Sequence, residues 1–173
     1  MALCSTPSLS IRPGGPADLA AVDALLTRSY PALLAQDYTP EVLALALPVI
    51  CRAQPHLVTC GSYFLAHDGP ELVAAGGWTP NAPQGRAGPA HIGHIRHVVT
   101  DHRRVRQGVG RRLLTHAMAD ARAQGIRVLH CHSTLTAEPF YAALGFRKVA
   151  AIDLRLRPGV LFPATHMVAD IAA

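Results

Sequence analysis

The stretch from Arg104 to Leu114, R-V-R-Q-G-V-G-R-R-L-L, joins arginines to two glycines directly before an amphipathic helical pattern. Gly108 and Gly110 carry no Cβ, so backbone N–H groups there can approach a bulky anion at the positive end of the helix dipole. A run rich in β-branched residues, His91 to Thr100, precedes the turn. The order strand, cationic glycine turn and helix predicts a seat for a pyrophosphate.

Two familiar phosphate-binding patterns do not fit this turn. A nucleoside-triphosphate loop ends in Gly-Lys-Ser or Gly-Lys-Thr, and a dinucleotide fingerprint has a third glycine three residues after the second. Here Gly110 is followed by Arg111, Arg112 and Leu113, and the chain's single lysine is Lys148. Taken alone, two glycines separated by one residue also fit an ordinary helix start.

The C-terminal half carries a second, independent pattern. Val105 to Gly110 resembles the acyl-CoA loop of the GNAT superfamily of N-acetyltransferases, in which Gln or Arg is followed after two residues by Gly-x-Gly or Gly-x-Ala. The segment 137–146, A-E-P-F-Y-A-A-L-G-F, is similar to that family's segment A-x-x-x-Y-x-x-x-G-F. The resemblance extends over about Ser10 to Ile171, and its first ninety residues are the less diagnostic part.

A length of 173 residues suits one domain with a sizeable core. The resemblance implies a single α/β N-acetyltransferase domain over residues 1–173. Its mixed, mostly antiparallel central sheet would have six to seven strands, with helices on both faces. Residues 1–9 are expected to be disordered or peripheral. Periodicity and turn residues predict helices at 18–29, 40–50 and 137–144, and strands at 10–12, 62–67, 71–78, 91–100, 149–156 and 160–168. The resemblance implies a long helix at 110–124, where an apolar stripe is also present, and a strand at 126–134.

The resemblance implies acetyl-CoA as cosubstrate. Backbone groups of Val98, Val99 and Thr100 would hold the pantetheine arm, and one amide there, at Val99, would polarise the thioester carbonyl. The diphosphate would lie against the loop residues Arg106, Gln107, Gly108, Val109, Gly110 and Arg111. Val105 departs from the family's Gln or Arg, and Arg104 is a candidate replacement, whereas Arg103 and Arg112 read equally well as solvated charges. Thr134 stands where the family commonly has an asparagine that bonds the cofactor, and Ser133 can share that contact.

The same resemblance implies Tyr141 as the proton donor to the leaving thiolate; the alternative is an aromatic residue packed beside Phe140. Histidine is the side chain best suited to deprotonate an amine at neutral pH. His94 occupies the strand position where several family members carry a base. His130 and His132, which share one face of the following strand, form a second candidate pair, and a water-mediated or absent base stays open. An H-x-H pair without a third ligand is weak evidence for a metal site, so none is predicted.

Composition limits the other classes of function. Net charge is +5, and the arginines cluster between 103 and 112, which also fits nucleic-acid binding. However, aromatic residues make up only 5% of the chain and none interleaves with that cluster. No apolar run reaches the length of a membrane helix and the first residues do not form a signal peptide, so a cytoplasmic enzyme is expected. The four cysteines are expected to be reduced and mostly buried, and a homodimer stays open. The alternatives to an acetyltransferase acting by direct attack on an unidentified amine are a catalytically silent acyl-CoA-binding module and a basic nucleic-acid-associated protein.

Overall fold

A computed structural model describes residues 8–173, which form one seven-stranded sheet in the order β1-β2-β3-β4-β5-β7-β6. Only the β4–β5 pair is parallel. The α/β fold with a mixed, mostly antiparallel sheet is therefore confirmed. The strands are β1 (Leu9–Pro13), β2 (Tyr63–Asp68), β3 (Glu71–Thr79), β4 (Ile92–Thr100), β5 (Val128–Thr134), β6 (Arg147–Arg157) and β7 (Val160–Asp170). The helices are α1 (Leu19–Leu34), α2 (Pro40–Ile50), α3 (Pro55–Val58), α4 (Val109–Ala123) and α5 (Glu138–Ala142).

Each face of the sheet is covered by its own apolar cluster. On one face α4 buries Leu113, Leu114 and Ala117 against sheet residues such as Leu129 and Met167. On the other face α1 and α2 cover a second cluster that includes Leu25, Tyr63, Leu65, Val99 and Phe162. Helices on both faces follow from this arrangement, because a sheet with apolar residues on both sides must be covered twice. Within residues 8–173, no helix has the length and hydropathy needed to cross a membrane.

The parallel pairing of β4 and β5 is short. It joins Ile92 to Val128, Gly93 to Leu129 and His94 to His130, and no later residues of the two strands pair. Beyond His94 and His130 the strands diverge, so the second half of each strand faces an opening in the sheet. Backbone groups in that opening are not all satisfied by a neighbouring strand, which makes the gap a place where an extended ligand can pair with the sheet.

A bulge in β4 lies at the start of this gap. Ala75 pairs with Val99 and Gly77 pairs with Arg96, so Gly76 faces two residues, His97 and Val98. His97 has φ 47, and Gly76 has φ 156. A Cβ on Gly76 would come within 2.8 Å of the Val98 Cα, which explains the glycine. The bulge turns the His97 ring to the α1–α2 face, where it stacks on Tyr30 and its Nε2 lies 2.8 Å from the Ile50 carbonyl oxygen.

Several local predictions differ from the structure. Helix α1 runs to Leu34 and includes Pro31, because burial of Tyr30 and Leu34 outweighs the cost of an interior proline. Asp18 makes no capping bond to α1; its carboxylate instead accepts hydrogen bonds from the Gly15 N–H and from Arg12. The short helix α3 was not predicted. Residues 1–9 were expected to be disordered or peripheral, but Leu9 begins β1. Residues 1–7 lie outside the described residues.

Candidate active site

The gap between β4 and β5 opens into a cavity of about 1110 Å³. One end is formed by the loop before α4 and by the first residues of that helix, including Gly108 and Arg111. The middle is formed by Val98, Val99 and Tyr141, and the other end by Arg96 and His132 together with α1 and α2 residues. Pockets for small ligands measure roughly 300–1000 Å³, so this cavity is large enough for an extended ligand.

The loop end of the cavity has the backbone of an anion site. Arg106 and Gly108 have φ 63 and 77, and Val109 begins α4, so N–H groups of the first helical turn point toward the cavity. A Cβ on Gly108 would meet no atom within 4 Å, so its glycine is required by the left-handed backbone and leaves space in front of the amides. The exposed side chains of Arg106 and Arg111 line the same end.

Gly110 has a different role from Gly108. A Cβ at Gly110 would lie 2.7 Å from Thr100 Oγ1 and 3.4 Å from the Phe140 ring. The second glycine therefore allows α4 to pack directly on the end of β4 and on α5. Sequence reasoning assigned both glycines to the anion alone; in the structure, the close approach at Gly110 is between helix and strand.

The start of the loop is fixed by Asp101, a fully buried carboxylate at the end of β4. Arg28 Nε donates to it at 3.0 Å, and the Arg103 backbone N–H and guanidinium donate at 2.7–3.0 Å. The hydrogen bonds from Arg103 hold the pKa of Asp101 far below its usual range, and those from Arg28 act in the same direction. This anchor was missed in the sequence because Arg28 lies 73 residues away.

Replacing Asp101 by asparagine should lower the free energy of unfolding by about 2 kcal/mol, since the charge-assisted hydrogen bonds from Arg28 and Arg103 to a buried carboxylate are lost, although Arg103 keeps Glu71 and Arg28 keeps the Leu72 carbonyl oxygen. Urea unfolding at pH 7 measures the change. Asp18→Asn is the control, because it breaks a carboxylate–arginine pair in which Arg12 is half exposed, and it should cost less than about 1 kcal/mol. An equal decrease in the free energy of unfolding for the two variants would show that the hydrogen bonds of Asp101 stabilise the protein no more than an exposed ion pair does.

Of the basic residues around the loop, Arg103 and Arg104 are paired with carboxylates, whereas Arg112 is not. Arg103 binds Asp101 and Glu71, and Arg104 Nη2 lies 3.2 Å from both Asp68 and Glu71. Arg104 lines the cavity, but its charge is already matched, which weakens its candidacy as a replacement for the missing cation at Val105. Arg112 donates to the Leu9 carbonyl oxygen and lies outside the cavity lining.

Tyr141 lies in the middle of the cavity wall and is 5% exposed. Its hydroxyl lies against the buried thiol of Cys131 on β5, and its ring also packs edge-on against Phe140 and Phe146. Burial, reinforced by the thiol, raises the pKa of Tyr141 well above 10, so the phenol is protonated at neutral pH. Burial also raises the pKa of Cys131 to about 12.

The expectation of mostly buried cysteines holds for Cys131 but is wrong for Cys60, which is exposed. Cys51 is half-buried, and Cys4 lies outside the described residues.

Four histidines, His94, His130, His132 and His166, form a cluster on the α1–α2 face of the sheet. Ring centroids are 5.5 Å apart for His94 and His130, 5.1 Å for His130 and His166, and 5.7 Å for His132 and His166. His130 Nδ1 lies 2.9 Å from His166 Nε2. Burial and, to a smaller extent, the neighbouring histidines and Arg96 lower the pKa of His94 to about 4. Burial followed by His166 also lowers the pKa values of His130 and His132, and for His132 the neighbours His130 and Arg96 add to the effect. Within residues 8–173 no three potential ligands are grouped as a metal site.

The histidine cluster should make the protein less stable in mild acid. Because the pKa of folded His94 is about 4 and that of an unfolded histidine is about 6.5, protonation below pH 6.5 favours the unfolded chain. The stability that neutral His94 contributes is complete above pH 6.5 and is lost as the pH falls toward 4. At pH 5 the loss in the free energy of unfolding amounts to about 1–2 kcal/mol. Urea unfolding of the wild type and His94→Gln at pH 7.5 and 5 should show a smaller acid loss in the variant. His56→Gln, at an exposed histidine of α3, is the control; an acid loss identical in wild type and both variants would contradict the expectation.

The structure brings most of the predicted site residues to one cavity. Its lining includes Val98, Val99, Thr100, Arg106, Gly108, Val109, Gly110, Arg111, Thr134 and Tyr141. Gln107 is exposed and bonds back to the Arg103 carbonyl oxygen, and neither it nor His94 lines the cavity. Thr134 Oγ1 accepts from the Ala137 N–H, so its hydroxyl proton is the group left for a ligand. Ser133 Oγ donates to the Thr134 carbonyl oxygen.

Two cavity residues were not the first choice from the sequence: Arg96 was not assigned to the site, and His132 belonged to the second candidate pair of bases. Arg96 lines the end opposite the loop, and its Nη1 donates to Thr79 Oγ1 at 3.1 Å. His132 lines the same end and was ranked behind His94 in the sequence. The signal was present, because Arg96 shares a strand face with His94 by alternation. Whether a residue such as His94, Arg96 or His132 reaches the opening depends on where β4 and β5 separate.

Comparison with known proteins agrees with this geometry. The family model described as an acetyltransferase (GNAT) domain matches residues 62–164. A GCN5-related N-acetyltransferase from Rhodopseudomonas palustris has 23% identity and a TM-score of 0.75, covering 98% of this chain and 99% of that one. PaiA N-acetyltransferase from Thermoplasma acidophilum, solved in complex with coenzyme A, has 14% identity and a TM-score of 0.71, with 94% and 99% covered. The ribosomal-protein-S18-alanine N-acetyltransferase of Escherichia coli has 17% identity and a TM-score of 0.62, with 95% of each chain covered. No curated protein matches the sequence significantly.

The split sheet, the anion loop and the family match define an acyl-CoA-dependent transferase that acts on amines. The family model covers more than half of the chain. The chain therefore belongs to the GNAT acetyltransferase family, and it is an N-acetyltransferase.

Proposed function

We propose that the protein transfers an acetyl group from acetyl-CoA to a primary amine by direct attack. The observation that carries this proposal is the continuity of one cavity from the helix-start amides at Gly108, past Val98 and Tyr141, to Arg96 and His132. The diphosphate would lie on the loop, and the pantetheine arm would run beside Val98–Thr100 in the gap left by β5. The thioester would then lie at Tyr141, in the middle of the cavity.

The chain supplies a group for each step of this reaction. The amine nitrogen attacks the thioester carbonyl carbon, and the Val99 amide is the proposed donor to the oxyanion of the tetrahedral intermediate. When the C–S bond breaks, the Tyr141 hydroxyl donates to the sulfur. An ammonium acceptor loses two protons in all, of which one ends on the coenzyme A thiol and the other leaves to solvent. Because its pKa is raised, the Tyr141 phenol is protonated at neutral pH and can donate as charge develops on sulfur. A proton released by the acceptor nitrogen then replaces the one that Tyr141 gives to the sulfur, so the phenol is restored.

The proton acceptor is best supplied by a histidine that lines the cavity. We propose His132 for this role, with His94 behind it in the histidine cluster and connected to it through His130 and His166. Because the pKa values of His94 and His132 are lowered, both rings are neutral at neutral pH and able to accept a proton. A cysteine acyl-enzyme is not part of the proposal, because burial keeps the Cys131 thiol protonated.

Calorimetry with acetyl-CoA and release of the coenzyme A thiol in the presence of an amine panel test the function together. We expect binding of acetyl-CoA, turnover with at least one primary amine, and no acetylated protein by mass spectrometry. Binding without turnover by any amine would favour the silent acyl-CoA-binding module. Salt-dependent binding of nucleic acid that coenzyme A does not displace would favour a basic nucleic-acid-associated protein. An acetylated cysteine on the reaction path would overturn direct attack. The cytoplasmic location remains a prediction.

A further inference from the structure

The acceptor end of the cavity carries the positive charge of Arg96 and has no acidic counterpart. His132 and His97 also line the cavity, and both rings are neutral at neutral pH because burial lowers their pKa values. Among the described residues that line the whole cavity, none is Asp or Glu. A site for polyamines or simple alkylammonium ions would be expected to offer carboxylates, since these acceptors arrive with positive charge only.

Arg96 is the strongest single feature of this end. It is half-buried, and its one described hydrogen bond goes to the neutral Thr79 hydroxyl, which in turn donates to the Asn81 carbonyl oxygen. No carboxylate within residues 8–173 forms an ion pair with it, in contrast to Arg28, Arg103 and Arg104. A guanidinium has five N–H donors, and within residues 8–173 only one of those of Arg96 has a described protein acceptor, so the others are available to a ligand in the cavity that Arg96 lines.

A half-buried cation without a counter-ion is costly to maintain. Burial disfavours its charged form and lowers the pKa of Arg96 from its ordinary value, although a guanidinium stays protonated at neutral pH. The cost is offset if a ligand brings the missing negative charge. Two acidic side chains on the α1 side are already bonded and do not line the cavity: Asp23 accepts from the Ala53 backbone N–H, and Asp37 accepts from the Thr136 hydroxyl.

We propose that the acceptor is a small amine that also carries a carboxylate or a phosphate group, and that Arg96 binds this anionic group. The inference rests on the proposed acetyltransferase function and adds the substrate class. Arg96 would bind the anionic group through a bidentate pair of hydrogen bonds at the acceptor end of the cavity, while the amine of the same molecule points toward His132 and the thioester. His132 would then be the residue that meets the amine, and Arg96 the residue that selects it.

The test uses acceptors that differ only in the anionic group. One arm compares α-amino acids with their carboxamides, and the other compares O-phosphoethanolamine with ethanolamine. Thiol release from saturating acetyl-CoA is measured for the wild type, Arg96→Gln, Arg96→Lys and the control Arg147→Gln, which removes an equal charge from an exposed position on β6.

The wild type and Arg147→Gln should prefer the anionic member of at least one pair, and the preferred arm identifies carboxylate or phosphate. In Arg96→Gln, kcat/KM for that acceptor should fall by roughly tenfold to a hundredfold, mainly through KM, and by a much smaller factor for the neutral partner, so that the preference is lost. Arg96→Lys should keep part of the preference. Equal use of neutral and anionic acceptors by the wild type, or an equal loss for both in Arg96→Gln, would overturn the proposal.

A binding measurement covers the case in which no acceptor in the panel reacts. N-acetyl amino acids and N-acetyl-O-phosphoethanolamine are titrated by calorimetry into the protein saturated with coenzyme A. At least one should bind to the wild type and bind more weakly to Arg96→Gln, with unchanged circular dichroism showing that the variant is folded. Failure of every anionic product to bind would overturn the assignment of Arg96, whereas failure of coenzyme A itself to bind would overturn the proposed function.

Discussion

Replacing Gly108 by valine is expected to weaken acetyl-CoA binding by about a hundredfold. Gly108 has φ 77 at the position before the first turn of α4, a backbone region that a β-branched residue adopts only with strain. The variant must either keep this strain or turn the helix-start amides away from the diphosphate. The new side chain would also occupy the space in front of those amides, where no protein atom lies within 4 Å of a Cβ.

Gly159 supplies a matched control for this variant. It has φ 78 in the turn between β6 and β7, and a Cβ there would also meet no atom within 4 Å. Gly159→Val should therefore lose comparable stability and keep its affinity for acetyl-CoA. Calorimetry at 25 °C measures both affinities, and thermal unfolding measures both stabilities. An affinity of Gly108→Val equal to that of Gly159→Val would mean that the loop is not the diphosphate site.

Tyr141→Phe is expected to lower kcat by about a hundredfold or more while leaving acetyl-CoA affinity essentially unchanged. The variant removes one hydroxyl and keeps the ring that packs against Phe140 and Phe146. Because the hydroxyl would contact sulfur only as the C–S bond breaks, its loss should appear in the chemical step. Single-turnover kinetics at saturating acetyl-CoA, with the best acceptor of the amine panel, measure that step.

Two controls separate catalysis from packing at Tyr141. Tyr38→Phe removes a buried hydroxyl that donates to the Pro163 carbonyl oxygen outside the cavity, so it should lower stability with little effect on kcat. Cys131→Ala removes the thiol next to Tyr141 and keeps the phenol, so it should keep most of the activity. A Tyr141→Phe variant with wild-type kcat would identify Tyr141 as a packed aromatic residue, and the leaving thiolate would take its proton from water.

The order of helices and strands was largely readable from local pattern. The Gly69-Pro70 hairpin, the apolar stripe of α4 and the glycine after α5 depend on residues close together in the chain. Errors arose where long-range packing outweighed local preference, as in the continuation of α1 through Pro31. The short helix α3 was missed because its four residues give too little periodicity to detect.

The sequence by itself determined the position of the glycine turn and its helix and the prediction of an anion site there, since Gly108, the helix-start amides and cationic side chains lie within a dozen residues of one another. Only the tertiary structure decided which charges remain available. Arg103 and Arg104 are matched by Asp101, Asp68 and Glu71, whereas Arg96 has no acidic partner within residues 8–173. It also decided that β4 and β5 separate just after His94 and His130, so that His132 faces the cavity and His94 does not. The physical reason is that charge pairing and strand separation depend on contacts between residues far apart in the chain, as with Arg28 and Asp101, 73 residues apart, and no local pattern encodes them.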